Sequence, residues 1–267
     1  MAEKETKNKP KDLVEATPEE VKKVEEVSAA PKKFGDRRPP RRARPDRDQE
    51  AREALASWAP KTKLGIAVRD GKEKDLDKII IHGKKILESE IVEKLLDLKS
   101  DLLSIGQAKG KFGGGKRRAW RQTQKKTKEG NVLSFSSMAV VGDKAGHVGV
   151  GYGGSKETLP ARAKAVRNAK LSIIRVARGF ESPEAEKDKS DPHTVPFKVE
   201  GKCGSVRVIF WPAPRGTGLV AGDEAKKILR LAGIKDVYSR TLGKTKTTFN
   251  LAKACVDALN KTTEMKQ

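Results

Sequence analysis

Apolar residues recur along this chain at two spacings, every second position in some stretches and every third or fourth position in others. The second spacing predicts a helix over 90–98 and a long helix over 157–176, which ends before Gly179. The long helix would bury one apolar stripe and expose a basic face. The residues predicted for this stripe are Leu159, Ala163, Val166, Ala169 and Ile173.

Alternating apolar positions predict a β-hairpin between these two helices. Its strands are expected over 132–141 and 147–152, on either side of the turn-forming stretch Gly-Asp-Lys-Ala-Gly at 142–146. Order is predicted to begin near Trp58. This first folded unit is expected to have the order αβββα.

A second folded unit follows an acidic, proline-containing stretch at 180–192, which predicts an exposed linker. Its pattern predicts a hairpin, a helix, a short strand and a last helix, the order ββαβα. The expected bounds are 195–200 and 205–211 for the hairpin, 223–231 for the helix, 234–238 for the strand and 249–259 for the last helix. The fold class is therefore α+β, with two small α/β domains at 58–179 and 193–267.

Charge distinguishes residues 1–57 from the rest of the chain. These residues include few large apolar side chains and cannot bury enough surface to offset the entropy of ordering, so a disordered charged extension is predicted. It is either a solvated tail or a basic arm that orders along RNA.

The whole chain has 58 lysines and arginines against 36 acids, a net charge of +22. Such a charge destabilises a compact monomer unless an anion offsets it, and nucleic acid is the favoured partner.

Several classes of protein are excluded by the sequence. No stretch approaches the roughly 18 consecutive apolar residues that span a membrane, and the first residues lack the apolar segment of a secretory signal, so a cytoplasmic protein is expected. Cys203 and Cys255 cannot form a disulfide framework or a four-ligand zinc site. His82, His147 and His193 have no partner at the spacing of metal ligands. No metal, cofactor or catalytic residue is predicted.

Three glycine-rich stretches approach phosphate-binding motifs without completing them. Residues 110–117 nearly match GxxxxGK[ST], but Arg117 replaces the hydroxyl residue that would bind magnesium. Residues 149–154 match GxGxxG, but they lie on the second arm of a tight hairpin, whereas a dinucleotide-binding motif requires a βαβ unit. The alternative is that these glycines allow close approach of a backbone. Residues 214–218 precede a helix and either bind an anion through backbone N–H groups or form a simple turn.

The stretch 109–128 has many cations and no acidic residue. Its glycines and the aromatic residues Phe112 and Trp120 favour a loop inserted against RNA, with guanidinium groups on phosphates and rings on bases, over an ordinary solvated charge run. Its cations are Lys109, Lys111, Lys116, Arg117, Arg118, Arg121, Lys125, Lys126 and Lys128. The basic face of the long helix comprises Arg162, Lys164, Arg167, Lys170 and Arg175.

Several separated segments resemble the universal small-subunit ribosomal protein S5 family. They occur in order at the family's spacing and are 140–151 (VVGDKAGHVGVG), 212–222 (PAPRGTGLVAG) and 231–237 (LAGIKDV). Residues 58–65 and 192–197 resemble the archaeal and eukaryotic branch, and the short segment after the last helix favours an archaeal-type member. The resemblance covers residues 58–262.

The resemblance implies a structural constituent of the small ribosomal subunit without enzymatic activity. The first domain would be similar to double-stranded-RNA-binding domains, and the second would contain a left-handed crossover. The chain would bind small-subunit rRNA near the decoding region and near the channel through which messenger RNA enters. It would support subunit assembly and translational accuracy through contacts with neighbouring ribosomal proteins. Neither a membrane partner nor a homo-oligomer is expected.

The resemblance also locates expected contacts. The RNA-reaching loop of the family maps to residues 125–131, and the strand that faces a neighbouring protein maps to 205–211, with Arg207 as its expected contact. Residues 108–120 look inserted relative to the family, and the linker lacks the cysteines that some archaeal relatives carry. The expected RNA-binding residues are Lys116, Arg117, Arg118, Arg121, Lys125, Lys126, Lys128, Arg162, Lys164, Arg167, Lys170 and Arg215.

Two other functions stay open at this point. A free double-stranded-RNA-binding protein would use the first domain alone, and it would leave the segments 212–222 and 231–237 without a role. A phosphotransferase would need a phosphate loop with a paired catalytic acid and a magnesium ligand, and the sequence includes no intact motif of that kind.

Overall fold

Three short helices begin the part of the chain that the computed structural model describes, which comprises residues 57–108, 117–182 and 191–264. They are α1 (Lys63–Arg69), α2 (Leu76–Ile81) and α3 (Ser89–Leu95). Their buried side chains form a small core together with Ile173. The helix predicted over 90–98 is confirmed in position but ends at Leu95, and α1 and α2 are additional elements. The predicted extension 1–57 lies outside the described residues, apart from residue 57.

A five-stranded antiparallel sheet follows and is organised around one long strand. Its members are β1 (Lys99–Leu102), β2 (Trp120–Thr127), β3 (Gly130–Gly142), β4 (His147–Ser155) and β5 (Ile173–Arg175). The strand β3 pairs with β1 and β2 along one edge and with β4 along the other, and β4 pairs with β5. The predicted hairpin is confirmed. The strand β2, however, occupies part of 109–128, which was predicted to be a loop.

The helix α4 (Thr158–Leu171) lies unusually close to one face of this sheet. The strand β4 presents three glycines to it, and a Cβ on any of them would lie 2.1–2.3 Å from a backbone atom of α4. Because the helix backbone rests directly on the strand, only small side chains fit between them. The residues in this contact are Gly149, Gly151 and Gly153 on the strand and the buried Ala161, Ala165 and Ala169 on the helix.

Two details of the predicted long helix are wrong. Leu159 is 72% exposed and Ala163 is exposed, because the contact with glycines selects the alanine face of the helix instead of the predicted stripe. The helix ends at Leu171 rather than near residue 176, because the next residues pair with β4 as the strand β5. Two of the glycines of the GxGxxG stretch therefore serve helix packing, the alternative that was left open for them.

The second sheet has four strands in the order β6-β7-β9-β8. The elements are β6 (Val199–Cys203), β7 (Val206–Trp211), β8 (Leu219–Val220), α5 (Asp223–Ala232), β9 (Val237–Leu242) and α6 (Thr248–Glu264). The predicted order ββαβα is confirmed, with the short strand β8 added in parallel to β9. The predicted strand at 234–238 begins only at Val237, because the left-handed Gly233 (φ 83°) ends α5 and Ile234 still donates its N–H to the Leu229 carbonyl.

The first sheet is buried on both faces. Its second face joins the two halves of the described chain, the first half being the part before the predicted linker 180–192 and the second half the part after it. Met138 and Val140 of β3 and Val148 of β4 belong to one apolar cluster with side chains of α5 and α6, including Ile228 and Leu259. Burial on both faces explains why these strands read as nearly continuous runs of small and apolar residues. The linker predicted over 180–192 is described only in part, and its boundaries stay a prediction.

One histidine ties the helix α2 to the β3–β4 hairpin. The Nδ1 atom of His147 lies 2.6 Å from Oδ2 of Asp143, and its Nε2 atom lies 2.9 Å from Oδ1 of Asp77. Burial disfavours the charged imidazole, but the hydrogen bonds and charges of the two carboxylates outweigh it and raise the pKa of His147. Burial likewise opposes ionisation of Asp143, yet its hydrogen bonds with His147 and two backbone N–H groups lower its pKa.

The stability of the fold should therefore depend on pH around this histidine. A raised pKa means that the folded state holds the proton more tightly, so this stabilisation is complete below the ordinary pKa of 6.5 and is lost as pH rises through the folded value. Because Asp77 is 41% exposed, we expect Asp77→Asn to cost about 1 kcal/mol at a pH of about 5.5 and less than half of that near 8.5. Urea unfolding at the two pH values measures this difference.

The control for this prediction is Asp70→Asn. Asp70 is a comparably exposed carboxylate after α1 that pairs with Lys72 at 3.5 Å. It should change stability by the same small amount at both pH values, because no histidine titrates beside it. An equal loss for Asp77→Asn at both pH values would show that the imidazole charge does not stabilise this contact.

Candidate nucleic-acid interface

The strands β2 and β3 extend beyond the rest of the first sheet as a two-stranded ribbon. The strand β4 pairs with β3 only over Phe135–Gly142, whereas β2 pairs with β3 over Gly130–Ser137. Residues 130–134 therefore have only β2 as a neighbour, and the ribbon is exposed over 121–126 and 128–134. A two-stranded ribbon is marginally stable alone in water. This geometry suits a segment that lies against a partner.

The ribbon presents cations on both faces and at its tip. Arg121 and Lys125 share one face, Lys126 lies on the other, and Lys128 lies in the turn. None of these four side chains forms an ion pair with another described residue. Their neighbours along β2 are mostly Gln and Thr, which can donate to phosphates and to 2′-hydroxyl groups. Four cations predicted from the sequence are thus brought together on a strand and its turn, where a loop was expected.

Trp120 anchors the base of this ribbon and is engaged within the protein. The guanidinium carbon of Arg118 lies 5.8 Å from the Trp120 ring centroid, and that of Arg162 on α4 lies 5.3 Å from it. These distances correspond to cation–π contacts. The Nε atoms of both arginines are buried without a hydrogen-bond partner among the described residues. The Trp120 ring thus joins the ribbon to α4, and its stacking on bases stays a prediction.

The predicted basic face of α4 is only partly available. Lys164 and Arg167 are exposed and unpaired with any described carboxylate. Lys170 differs, because its side chain is only 16% exposed and contacts Glu93 of α3. Burial lowers the pKa of Lys170, an effect that the nearby charge of Glu90 opposes. Lys170 is therefore held inside the protein, whereas Lys164 and Arg167 face solvent.

Arg215 lies in the loop between β7 and β8. Its guanidinium Nη2 donates to the Asp191 carbonyl at 3.2 Å. The loop's own N–H groups are used within the protein: that of Thr217 points to the Pro214 carbonyl, and that of Gly218 donates to Asp236 at 2.7 Å. The simple-turn alternative for residues 214–218 therefore fits, and the loop offers a cation rather than those two backbone donors.

Arg207 lies on the face of the second sheet opposite to α6. The alternate residues of β7 that face the helix are fully buried, among them Val208 and Phe210, whereas Arg207 is exposed. Its guanidinium lies 3.7 Å from the Glu200 carboxylate. On the same face, β9 exposes Tyr238 and Leu242. This open sheet face combines apolar and charged groups, as protein interfaces do.

The remaining predicted cations have simple placements. Arg117 is exposed and forms a β-bridge with Ala108, which is the first residue of the predicted insertion 108–120. Lys116 lies outside the described residues. Within the described ranges, no three His, Cys, Asp or Glu side chains form a cluster able to hold a metal ion, and no helix is long and apolar enough to span a membrane.

Comparison with known families identifies both halves of the chain. The model of ribosomal protein S5, N-terminal domain, matches residues 118–177, and that of ribosomal protein S5, C-terminal domain, matches residues 201–267. Small ribosomal subunit protein uS5 of Nanoarchaeum equitans is 51% identical over 208 residues, which cover 78% of this chain and 88% of that protein. The chain belongs to the ribosomal protein S5 family. The uS5 proteins of Staphylothermus marinus and Methanocaldococcus jannaschii are 47% and 44% identical, covering 79% and 77% of this chain and 91% and 87% of their own lengths.

Membership of the S5 family confirms the resemblance drawn from the sequence and the expected two-part α+β fold. The chain is a structural ribosomal protein of the small subunit and not an enzyme, and these relatives are archaeal. The phosphotransferase alternative is thereby overturned.

Proposed function

We propose that this S5-family protein binds small-subunit rRNA through the ribbon of β2 and β3 and the exposed cations of α4. The observation that carries this proposal is the ribbon itself, which extends past the sheet and displays four unpaired cations. Phosphate contacts fix position and orientation on RNA, while the packed core fixes where the ribbon starts. Recognition would be mainly of shape and backbone, because side chains reach A-form RNA through its phosphates and 2′-hydroxyls.

In this proposal the RNA lies near the decoding region and near the channel through which messenger RNA enters. A ribbon long enough to leave the globular part of the chain can reach a neighbouring RNA segment while the domain rests on another. The protein would act as a single copy in the cytoplasmic ribosome, and it would support assembly of the subunit and accuracy of translation. Arg215 and Arg117 supply further cations outside the ribbon.

The open face of the second sheet is the proposed contact with neighbouring ribosomal proteins. Arg207 lies near the start of β7, on the same face as Ile209 and Trp211, with Leu242 opposite Arg207 on β9. A charged group within a partly apolar surface provides both burial and orientation when a partner covers it. This assignment rests on the exposure of the face.

A free double-stranded-RNA-binding protein fits the fold less well. Its function would require only the first half of the chain, yet the first sheet shares an apolar cluster with α5 and α6. Removing the second half would expose Met138, Val140 and Val148 to water. The two halves are therefore suited to act together.

Cosedimentation of the native protein with small subunits tests the ribosomal assignment directly. We expect the protein to comigrate with the subunit on a sucrose gradient at moderate salt and to be released at high salt, because phosphate contacts weaken as salt rises. Digestion of the lysate with ribonuclease before the gradient is the control and should release the protein. Protein that stays at the top of the undigested gradient would contradict the proposal.

A further inference from the structure

A basic cleft lies where the two halves of the described chain meet. It has a volume of about 830 Å³ and is bounded by the turn between β3 and β4, the residues after β5, the residues before β6, the start of β8, and α5 with the residues that follow it. Cations from both halves line it. They are Lys144 and Arg178 from the first half and Lys226, Arg230 and Lys235 from the second.

These five cations have almost no opposing charge. Asp191 is the one acidic residue among the lining residues of the described chain, and none of the five forms an ion pair with a described carboxylate. Elsewhere, many lysines of this protein do pair, as Lys84 does with Glu73 and Lys261 with Asp257. Like charges gathered in a concave site repel one another, and an anion in the cleft would relieve that repulsion.

The backbone conformation of Lys144 is a second observation that favours an anion in the cleft. Lys144 has φ 61°, and every other residue with positive φ in the described ranges is a glycine. A side chain in this conformation is strained by roughly 1 kcal/mol or more relative to glycine. The position is held firmly, because the Lys144 N–H donates to the Leu231 carbonyl at 2.9 Å and a Cβ on Gly233 would lie 2.2 Å from the Lys144 oxygen. A lysine thus occupies a position where glycine would be more stable.

The other cations are placed to share an extended anion. Lys226 and Arg230 are four residues apart on α5 and therefore lie on one face of the helix. Arg178 donates from Nη2 to the Ala145 carbonyl at 2.8 Å, which fixes the guanidinium while leaving other N–H groups for a ligand. Arg215 adjoins the cleft through its bond to the Asp191 carbonyl. Five or six positive charges exceed what a single phosphate would neutralise.

We propose that this cleft binds consecutive phosphates of an RNA backbone and that the bound RNA holds the two halves together. The proposal rests on the rRNA binding proposed above and adds a second contact, formed by both halves, that is separate from the ribbon. Because the ligand would touch residues of both halves, it should stabilise the folded protein as well as add affinity for RNA.

The first test measures thermal unfolding of the full-length protein with inorganic tripolyphosphate at constant ionic strength. Binding to the folded cleft raises the unfolding midpoint, whereas an anion that binds folded and unfolded protein equally well leaves the midpoint unchanged. We expect the wild-type midpoint to rise by about 5–10 °C near saturation. The variant Lys144→Gly/Arg230→Gln/Lys235→Gln should lose most of this rise. Without ligand, Lys144→Gly alone should be as stable as wild type or more stable.

The matched control is Lys74→Gln/Lys85→Gln/Lys253→Gln, which removes the same charge from exposed positions away from the cleft. It should keep the wild-type rise. Equal rises in the cleft variant and in wild type, or a large loss of stability for Lys144→Gly without ligand, would overturn the anion site.

The second test measures the affinity of the same variants for small-subunit rRNA across a salt series. The cleft variant should lower the salt slope by roughly 2, as expected for three lost phosphate contacts. A variant that loses the tripolyphosphate effect but keeps the wild-type salt slope would overturn the assignment to RNA and leave a site for a small anion. If wild type itself shows no salt-dependent rRNA binding, the function proposed above fails. The thermal test with tripolyphosphate still shows whether the cleft binds an anion.

Discussion

Replacing Gly151 by alanine should destabilise the protein by about 3 kcal/mol or more, although it adds a single methyl group. The added Cβ would lie 2.1 Å from the backbone nitrogen of Ala169 and 2.3 Å from the backbone oxygen of Ala165. These are main-chain atoms of α4, so no side-chain rotation relieves the clash, and the helix must move away from the sheet. For a folded unit of this size, the unfolding midpoint should fall by roughly 6–12 °C. Urea and thermal unfolding measure the effect.

The matched control for this substitution is Gly154→Ala on the same strand. A Cβ at Gly154 would meet only Tyr152 Oη at 3.6 Å and the Phe135 carbonyl at 3.8 Å, which are ordinary contacts. Gly154→Ala should therefore change stability by no more than about 0.5 kcal/mol. If Gly151→Ala were equally mild, the close contact between α4 and β4 would not limit the fold.

The same contact shows why the sequence predicted the hairpin correctly and the helix stripe incorrectly. Strand and turn signals around 142–146 are local, so the hairpin was readable from residue order alone. The buried face of α4 depends on what the strand offers it. A glycine-lined strand selects alanines, so Leu159 points to solvent despite its hydrophobicity. Tertiary context also converts residues 173–175 from predicted helix to strand, because they pair with the free edge of β4.

The candidate interface was predicted in part for a similar reason. Runs of cations identify Arg121, Lys125 and Lys126 without any knowledge of the fold, because their density alone indicates a polyanionic partner. Whether a given cation is free depends on neighbours that are distant in sequence. Glu93 contacts Lys170, and Trp120 holds Arg162, and neither contact could be read from spacing along the chain.

The basic cleft could not be predicted from the sequence at all. Its cations come from separate segments around residues 144, 178 and 226–235, and residue order gives no sign that these segments meet. A sequence signal existed only at Lys144, where a lysine stands inside a glycine-containing turn. Its meaning depends on the observed φ of 61°, which residue order does not give.

Removing the lysines of the ribbon should produce a large loss of RNA affinity. In Lys125→Gln/Lys126→Gln/Lys128→Gln all three positions are exposed and unpaired with described residues, so each substitution removes a phosphate contact with little effect on the fold. Each contact releases most of one condensed counterion, so the slope of log affinity against log salt should fall by roughly 2. At about 0.15 M salt the affinity for small-subunit rRNA should fall by roughly 30- to 100-fold. Filter binding across a salt series measures both quantities.

The charge-matched control for the ribbon is Lys74→Gln/Lys85→Gln/Lys253→Gln, which lowers the net charge equally at exposed positions outside the ribbon, α4 and the cleft. Long-range attraction alone would weaken both variants to the same small extent, because separated surface charges are screened beyond about 10 Å at 0.1 M salt. A specific loss in the ribbon variant, with unchanged urea unfolding, would therefore locate the RNA contact on the ribbon. Equal salt slopes for the two variants would remove the ribbon from the interface, and the exposed cations of α4 and the cleft would then have to account for rRNA binding.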